Sequence, residues 1–257
     1  MKAFRVPNVT GESPEAAQLW DLGCLGLVEE PGSLVAYFDD ERSLPLTGTW
    51  EQLPERDYVA EYQAGLEPVR VGRLVVAPSH RTVTAEDGDV IVGLDPGSAF
   101  GTGHHETTRL ALGALHSAEL RGRSVLDVGS GTGLLAIAAD ALGARTAYGV
   151  DVDAATVPVA RQNAQRNLSR ARFAVGSVDH WALPGQFDVV VANLYAELHA
   201  LLMPDYQSRL LPGGRLFLTG ILTRLGGVVT EALPAGLRLD AEKQDGEWTL
   251  YELTRTA

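Results

Sequence analysis

The spacing of hydrophobic and polar positions divides the chain into two regions, of which the first is short. Residues 2–7 alternate as a strand does, and SPEAAQLWDL opens with the Ser-Pro signal that is typical of a helix start. The stretch LGLVEEPGSLVAYF predicts a hairpin that turns at Pro31-Gly32. We therefore predict a β-α-β-β domain over residues 1–54, followed by a linker helix over residues 55–66 (ERDYVAEYQAGL).

In the second region, beyond residue 120, apolar runs alternate with helical stretches. The runs are SVLDV, TAYGVDV, FDVVVANL and GRLFLTGIL. Such alternation predicts an α/β domain, here residues 67–257, with a parallel sheet and helices on both faces. Two further runs near the end of the chain, LRLDAEKQ and EWTLYELT, flank Asp245-Gly246, a strong hairpin signal, so we expect the sheet to end on an antiparallel edge.

Composition is typical of a soluble globular protein. Of the 257 residues, 45% are hydrophobic and 21% are charged, and no apolar run reaches the roughly 18 residues that would span a membrane. Cys24 is the only cysteine, and the first residues lack the apolar segment of a signal peptide. These features predict a cytoplasmic protein without a membrane association.

The net charge of −12 restricts the partners that the protein is expected to bind. It repels phosphate backbones, and no Lys/Arg cluster is visible along the chain, so no direct nucleic-acid contact is expected. Half of this charge falls in residues 1–54, which hold nine acidic and three basic side chains. This region would attract a basic partner, although a solubilising surface with no partner is the alternative.

A glycine-rich turn, DVGSGTG, follows the first apolar run of the second region. Gly129, Gly131 and Gly133 let the backbone approach a ligand closely. Their spacing is G-x-G-x-G, whereas a dinucleotide fingerprint requires G-x-G-x-x-G, and this argues against a nucleotide-dependent dehydrogenase. The carboxylate of Asp127 precedes the turn and favours a ligand with a cationic group.

Asp151 ends the next apolar run, 22 residues beyond Gly129. An acid at this position in a doubly wound sheet accepts hydrogen bonds from ribose hydroxyls. A ligand with a ribose, a cationic group and no phosphate fits best, and S-adenosylmethionine is such a cofactor. The alternative is that Asp127 caps a helix and Asp151 ends a strand without any ligand.

The triplet Asn193-Leu194-Tyr195 ends the third run, at the sheet edge where open α/β domains bind ligands. It partly resembles the N-P-P-Y signature of methyltransferases that act on amines and amides. In those enzymes the Asn side chain and the next backbone carbonyl accept hydrogen bonds from the substrate nitrogen, and the aromatic ring lines the pocket.

The loop FGTGHHETT, residues 100–108, contains two histidines, but its pattern disfavours a metal site. Arg109 occupies the position where H-E-x-x-H has its second histidine, and the adjacent His104 and His105 would point in different directions on a helix. We expect no metal. The loop leads instead into a helix with Glu106 in its first turn, and such a loop can cover a cofactor.

These motifs together resemble one family, the bacterial methyltransferases that modify large-subunit ribosomal protein eleven. The resemblance lies in PGSAFGTGHHETT at residues 96–108, the glycine turn at 127–133 and NLYAEL from Asn193. It implies a seven-stranded Rossmann-like class I methyltransferase domain and a small ferredoxin-like α+β domain that binds the substrate protein. It also implies trimethylation of lysine side chains and of the α-amino group from S-adenosylmethionine. We expect the protein to be a monomer.

The resemblance and the motifs together assign residues to the site. We expect Asn193, Leu194 and Tyr195 to handle the substrate amine, with His104 as a proton acceptor or, preferably, as a structural part of its loop. The residues expected to contact the cofactor are Phe100, Gly101, Thr102, Thr107, Thr108, Asp127, Gly129, Gly131, Asp151 and Asn193. The alternatives are a methyltransferase of another protein or small molecule, and a nucleoside-binding regulatory module without catalysis.

Overall fold

The computed structural model describes residues 2–11, 13–51, 65–95, 103–180 and 183–256. The chain forms two compact units, Met1–Glu61 and Tyr62–Ala257. Most of the linker helix predicted at residues 55–66 lies outside the described residues. Among the described helices, none has the length and the apolar character needed to cross a membrane.

The first unit is a four-stranded antiparallel sheet with one helix in its described part. Strands β1 and β4 pair, β1 also pairs with β3, and β3 pairs with β2, so the order is β2-β3-β1-β4. The side chains of Phe4, Leu19 and Phe38 are buried in its core. The elements are β1 (Lys2–Pro7), α1 (Pro14–Asp21), β2 (Gly26–Glu30), β3 (Ser33–Phe38) and β4 (Thr49–Glu51).

The predicted hairpin is confirmed, because β2 and β3 join through Pro31-Gly32 and Gly32 has a φ of 78°. The strand order is that of a ferredoxin-like β-α-β-β-α-β unit, but its second helix is missing between β3 and β4. Residues 39–48 form the connection between β3 and β4. This segment is short and charged and contains Pro45, and these features disfavour a helix.

The second unit begins with a small sheet that the hydrophobic pattern did not predict. Strand β6 lies between β5, its antiparallel neighbour, and β7, its parallel neighbour. The three strands are β5 (Val69–Val71), β6 (Leu74–Pro78) and β7 (Val90–Leu94).

The larger sheet has seven strands among the described residues, in the order β10-β9-β8-β11-β12-β14-β13. The first five are parallel neighbours, and β14 pairs antiparallel with both β12 and β13. The predicted α/β class and the antiparallel edge at Asp245-Gly246 are therefore confirmed. The strands are β8 (Ser124–Val128), β9 (Thr146–Asp151), β10 (Arg172–Val175), β11 (Phe187–Asn193), β12 (Leu210–Leu222), β13 (Leu237–Asp245) and β14 (Trp248–Arg255).

Helices cover both faces of this sheet, because alternate strand residues point to opposite sides. Val125 and Val191 lie in one hydrophobic cluster with α2, α3 and α4, whereas Leu126 and Val190 lie in another with α5 and α6. The helices are α2 (Glu106–Ser117), α3 (Leu134–Ala141), α4 (Thr156–Arg166), α5 (Ala196–Arg209) and α6 (Gly226–Glu231), with a short 3-10 helix at Thr223–Leu225. The order of the strands reverses between β8 and β11, where such folds bind ligands.

Candidate functional site

A cavity of about 470 Å³ opens at the carboxyl ends of β8, β9, β10 and β11. Its volume is in the range of small-molecule sites. Six of the residues predicted from sequence line it: Thr108, Gly129, Gly131, Asp151, Asn193 and Leu194. The scattered motifs are thus brought together around one space.

The glycine turn forms one wall of the cavity. Gly129 has a φ of 76°, a left-handed conformation that side chains rarely adopt. A Cβ at this position would also stand 2.6 Å from Cδ2 of Leu194, closer than two carbon atoms can approach. The turn therefore requires glycine here both for its backbone conformation and for its contact with the strand-end residue Leu194.

Asp151 faces the same cavity from the end of β9. One carboxylate oxygen accepts a hydrogen bond from the Gly131 N–H at 2.8 Å, and the other accepts from the Asp153 N–H at 3.0 Å. Each oxygen has further acceptor capacity. The carboxylate thus fixes the glycine turn and can still accept hydroxyl donors from a ligand, as the sequence motif predicted.

Two hydroxyl groups on the cavity lining are available to a ligand. The Thr108 and Ser130 hydroxyl oxygens are buried and have no hydrogen-bond partner among the described residues. Buried polar groups are normally hydrogen-bonded, so an unpartnered hydroxyl at a cavity indicates a missing polar ligand. The lining thus combines polar groups with the apolar side chains of Leu134, Leu198 and Leu202, which suits an adenosine-containing cofactor.

Asp127 is placed differently from the expectation. It is fully buried beneath the glycine turn and is absent from the cavity lining. One carboxylate oxygen accepts the Ala136 N–H at 3.2 Å, in the first turn of α3, while the other has no partner among the described residues. Burial raises the pKa of this carboxyl group to about 7, the Ala136 N–H opposes that rise and the charge of Asp151 adds to it. The helix N-terminus takes the carboxylate that the sequence analysis had assigned to the ligand.

Asn193, the last residue of β11, has its side-chain amide oriented by a hydrogen-bond chain. Its amide nitrogen donates to the Thr107 hydroxyl at 3.1 Å, and that hydroxyl lies 2.8 Å from Nδ1 of His105. His105 also caps α2 by accepting the Thr107 backbone N–H at 3.3 Å. Because the amide nitrogen is engaged by Thr107, Oδ1 of Asn193 is left as a hydrogen-bond acceptor.

The backbone of Leu194 is held by the neighbouring strand. Its N–H donates to the Thr219 carbonyl at 3.0 Å. Beyond Thr219, Gly220 has a φ of 85°, and a Cβ there would contact the Leu194 carbonyl and lie 2.8 Å from Oδ1 of Asn193. Glycine at 220 therefore keeps space open beside the two acceptors, a feature that the sequence analysis missed.

A buried histidine, also missed from sequence, supports this strand end. His199 of α5 has Nε2 at 2.8 Å from the Thr219 carbonyl and Nδ1 at 3.3 Å from the Tyr206 hydroxyl. Burial lowers its pKa to about 4, against the opposing effect of the Thr219 and Leu194 carbonyls. The ring is thus neutral at pH 7, with Nε2–H donating to Thr219 and Nδ1 accepting from Tyr206.

The loop before α2 is anchored within the second unit by side chains of its histidines and by Arg109. His104 has Nε2 at 2.7 Å from the Glu67 carbonyl and does not line the cavity, which fits the structural role preferred from sequence. The His105 ring packs edge-on against Trp248 at 4.8 Å, and Arg109 pairs with Asp245 at 2.8 Å. The start of α2 is thereby fixed to the β13–β14 hairpin.

The remaining predicted residues do not reach the cavity or cannot be described. Tyr195 is 60% exposed and is absent from the lining, so its predicted role as a pocket wall finds no contact here. Phe100, Gly101 and Thr102 lie outside the described residues. Within the described ranges, no group of three His, Cys, Asp or Glu side chains is arranged to hold a metal ion.

Several lining residues were not singled out from sequence. Gly176 and Ser177 directly follow β10. They line the cavity because β10 is parallel to β9, so both strands end at the same edge of the sheet. The sequence gives only weak evidence that these two residues belong to the site, because their position after a strand is the one feature that distinguishes them. The others are Val128, Ser130, Thr132, Leu134, Leu135, Val152, Asp153, Thr156, Leu198 and Leu202.

Comparison with known proteins identifies the family. Residues 29–256 match the family model described as ribosomal protein L11 methyltransferase (PrmA). The ribosomal protein L11 methyltransferase of Thermus thermophilus is 48% identical over 240 residues, which cover 92% of each chain. That of Deinococcus radiodurans is 42% identical over 252 residues, again 92% of each chain.

A solved structure adds to this likeness. The ribosomal protein L11 methylase of Lactobacillus delbrueckii subsp. bulgaricus superposes with a TM-score of 0.65 at 28% identity, over 75% of this chain and 100% of the other. The residues matched by the family model, 29–256, include all of those that line the cavity. The chain therefore belongs to the ribosomal protein L11 methyltransferase family, and S-adenosylmethionine is its cofactor.

Proposed function

We propose that this protein transfers methyl groups from S-adenosylmethionine to ribosomal protein L11, and that it trimethylates lysine side chains and the N-terminal α-amino group. The observation that carries the proposal is the pair of acceptors at the end of β11, the Asn193 side-chain oxygen and the Leu194 carbonyl, beside a cavity of cofactor size. The names of the related enzymes supply the substrate.

The cavity offers distinct groups to each part of the cofactor. Asp151 accepts the ribose hydroxyls, Gly129 and Gly131 let the backbone lie close to the ligand, and the Thr108 and Ser130 hydroxyls complete its polar contacts. The bound cofactor would supply a methyl group from its sulfonium, and the sulfur would leave readily as a neutral thioether. Positioning by the protein can therefore account for most of the acceleration.

The acceptors orient a neutral amine. In the first transfer, Asn193 Oδ1 and the Leu194 carbonyl accept the two N–H groups of the neutral amine, which leaves the nitrogen lone pair directed at the methyl group. The monomethylated amine keeps one N–H group for these acceptors and the dimethylated amine keeps none, so the last transfer relies on the shape of the pocket. An α-amino group has a pKa of about 8 and is partly neutral at pH 7, whereas a lysine has a pKa of about 10.4 and must lose its proton first. The apolar lining, Leu194, Leu198 and Leu202, favours this loss by making the charged form less stable.

The first unit suits the docking of a basic protein. Asp21, Glu29, Asp39 and Glu41 are exposed, and none of them forms an ion pair with another described residue. Trp20 on α1 is 54% exposed and supplies an apolar contact next to Asp21. Exposed aromatic residues are typical of interaction surfaces, and the unpaired carboxylates beside Trp20 would attract a basic partner.

The proposal that lysine and α-amino nitrogens are methylated can be tested by mapping the methyl groups on purified L11 after incubation with the protein and S-adenosylmethionine. Tandem mass spectrometry of the digested product is expected to find three methyl groups on the α-nitrogen and on lysine nitrogens. L11 that is acetylated at its N-terminus serves as the control and should lose the α-nitrogen signal alone. Methyl groups on other side chains, or on none, would contradict the proposal.

Two other functions remain as alternatives to be tested by the same reaction. Transfer to another protein or to a small molecule would keep the cofactor chemistry and change the substrate. Cofactor binding without any transfer would favour a nucleoside-binding regulatory module.

A further inference from the structure

Five arginines converge on the sheet edge opposite the cavity. They are far apart in sequence, but each lies at or before the start of a parallel strand: Arg121 and Arg123 before β8, Arg145 before β9, Arg170 and Arg172 at β10. All five are exposed. We call this set the basic edge.

Backbone pairing fixes the basic edge as one surface. The Arg145 N–H donates to the Arg123 carbonyl at 2.7 Å, and Arg172 lies opposite Tyr148 in the pairing of β10 with β9. Neighbouring strands are about 4.8 Å apart, so the three strand starts place their arginines within a row of roughly 10 Å. Sequence inspection shows no cluster because the fold, and not the chain order, brings these residues together.

Most of the positive charge on this edge is not neutralised. Arg123 pairs with Asp188 at 3.1 Å and Arg170 pairs with Asp140 at 2.9 Å. Both aspartates are engaged further, by Ser124 and Ser169 respectively. Arg121, Arg145 and Arg172 have no carboxylate within ion-pair distance among the described residues.

The basic edge also has hollows between its side chains. A hollow of about 140 Å³ is lined by Arg145, Arg170 and Arg172, and one of about 220 Å³ lies beside it between Arg145 and Gln186. Tyr148 borders both, and the guanidinium carbon of Arg172 stands 5.9 Å from the centre of its ring. Guanidinium groups bind phosphate oxygens through paired N–H donors, and an aromatic ring next to them can stack on a base.

We propose that the basic edge binds the phosphate backbone of RNA. When arginines neutralise the phosphates of a nucleic acid, condensed counterions are released, and this release strengthens binding. An acidic peptide has a lower charge density, so it gains less binding free energy in this way. The net charge of −12 does not prevent this, because charges more than about 8–10 Å away are largely screened at physiological salt. The choice of RNA over DNA rests on the proposed function, since the substrate is a ribosomal protein.

The position of the basic edge allows RNA to bind there while a cofactor occupies the cavity. The same strands, β8, β9 and β10, carry the basic edge at their starts and the cavity at their ends. Strands β8 and β9 have five and six residues, which corresponds to a length of roughly 17–20 Å. RNA bound at one edge therefore leaves the cavity open, and cofactor affinity should not change when RNA is added.

The test measures binding of a fluorescein-labelled 20-nucleotide RNA hairpin to the full-length protein by anisotropy, at several salt concentrations and without cofactor or L11. For three to five phosphate contacts, the slope of log K against log salt should lie between about −2 and −4. The double variant Arg145→Gln, Arg172→Gln should lose about two units of slope and bind about tenfold or more weakly at 0.1 M salt.

A matched control removes two other exposed arginines, Arg73→Gln and Arg224→Gln, and changes the net charge by the same amount. The control should retain the wild-type slope, and both variants should keep the wild-type unfolding temperature. No RNA binding by the wild type, or an equal loss in the control, would overturn the proposal. Displacement by polyglutamate at the same concentration as unlabelled RNA would overturn the assignment to RNA. Since no methyl transfer is measured, these results are independent of the proposed function.

Discussion

Asn193 and Thr107 define the site at the scale of single residues. The Asn193 amide has one side engaged by Thr107, so its oxygen is the group left for the substrate. We expect Asn193→Ala to lower kcat for methyl transfer about a hundredfold, the order of loss seen when a reacting group is misplaced. Calorimetric affinity for S-adenosylmethionine should change by much less. Equal losses in both measurements would assign Asn193 to cofactor binding and not to amine orientation.

A substitution of Thr107 tests more selectively whether Asn193 orients the amine, because the Thr107 hydroxyl holds the Asn193 side chain in position. Thr107→Val keeps the buried shape but removes the acceptor of the Asn193 amide. One such hydrogen bond contributes about 1 kcal/mol, so kcat should fall roughly five- to tenfold with unchanged cofactor affinity. Thr107→Ser should restore most of the rate. A serine variant as slow as the valine variant would contradict a role in positioning.

Sequence predicted the residues of this site better than their individual roles. Gly129, Asp151 and Asn193 were found because strand ends and spacing mark them, and parallel strands bring their ends to one edge. The roles of Asp127 and Gly220 depend on contacts across elements, with the start of α3 and with the Asn193-Leu194 backbone, which no local pattern reveals.

At the scale of elements, α5 supports the end of β12 through His199. Its folded pKa of about 4 lies below the ordinary 6.5 because the ring is buried. The neutral ring therefore contributes stability that is fully present above pH 6.5 and is lost as the pH falls towards 4. Between pH 7 and pH 5 the loss should be about 2 kcal/mol.

The measurement is urea unfolding of the wild type and of His199→Gln at both pH values. The difference in free energy of unfolding between them should shrink by that amount on acidification. Asp127, whose raised pKa gives the opposite pH dependence, is present in both proteins and cancels in this difference. A difference that stays constant with pH would contradict the buried neutral ring.

The elements also show what a hydrophobic pattern can predict. Runs such as FDVVVANL, buried on both faces, identified the parallel strands, and Asp245-Gly246 identified the edge hairpin. The sheet β5-β6-β7 was not predicted, because its strands have only three to five residues and a loop separates β6 from β7. The resemblance implied a ferredoxin-like domain, but residues 39–48, which connect β3 to β4, are too short and polar to form the second helix of such a unit.

Across the whole molecule, the two units differ in the exposed charges that they carry. The first unit holds unpaired acids that suit a basic substrate, whereas the second holds the basic edge. We expect the triple variant Asp21→Asn, Asp39→Asn, Glu41→Gln to raise KM for L11 roughly three- to tenfold at low salt, with kcat unchanged.

The control for this prediction removes three exposed acids of the second unit, Asp87→Asn, Glu119→Gln and Glu231→Gln, for the same change in net charge. Steady-state kinetics at two salt concentrations should find its KM near the wild-type value. If both triple variants raise KM equally, the effect belongs to net charge and docking on the first unit is wrong.

Methyl transfer to L11 at the Asn193 site can be measured by intact-mass spectrometry. Purified L11 and, in parallel, total ribosomal protein are incubated with S-adenosylmethionine and either the wild type or Asn193→Ala. We predict that L11 alone gains methyl groups with the wild type and gains few with the variant in the same time. Methylation of other ribosomal proteins would contradict L11 as the substrate, and equal methylation by the variant would contradict the role of Asn193.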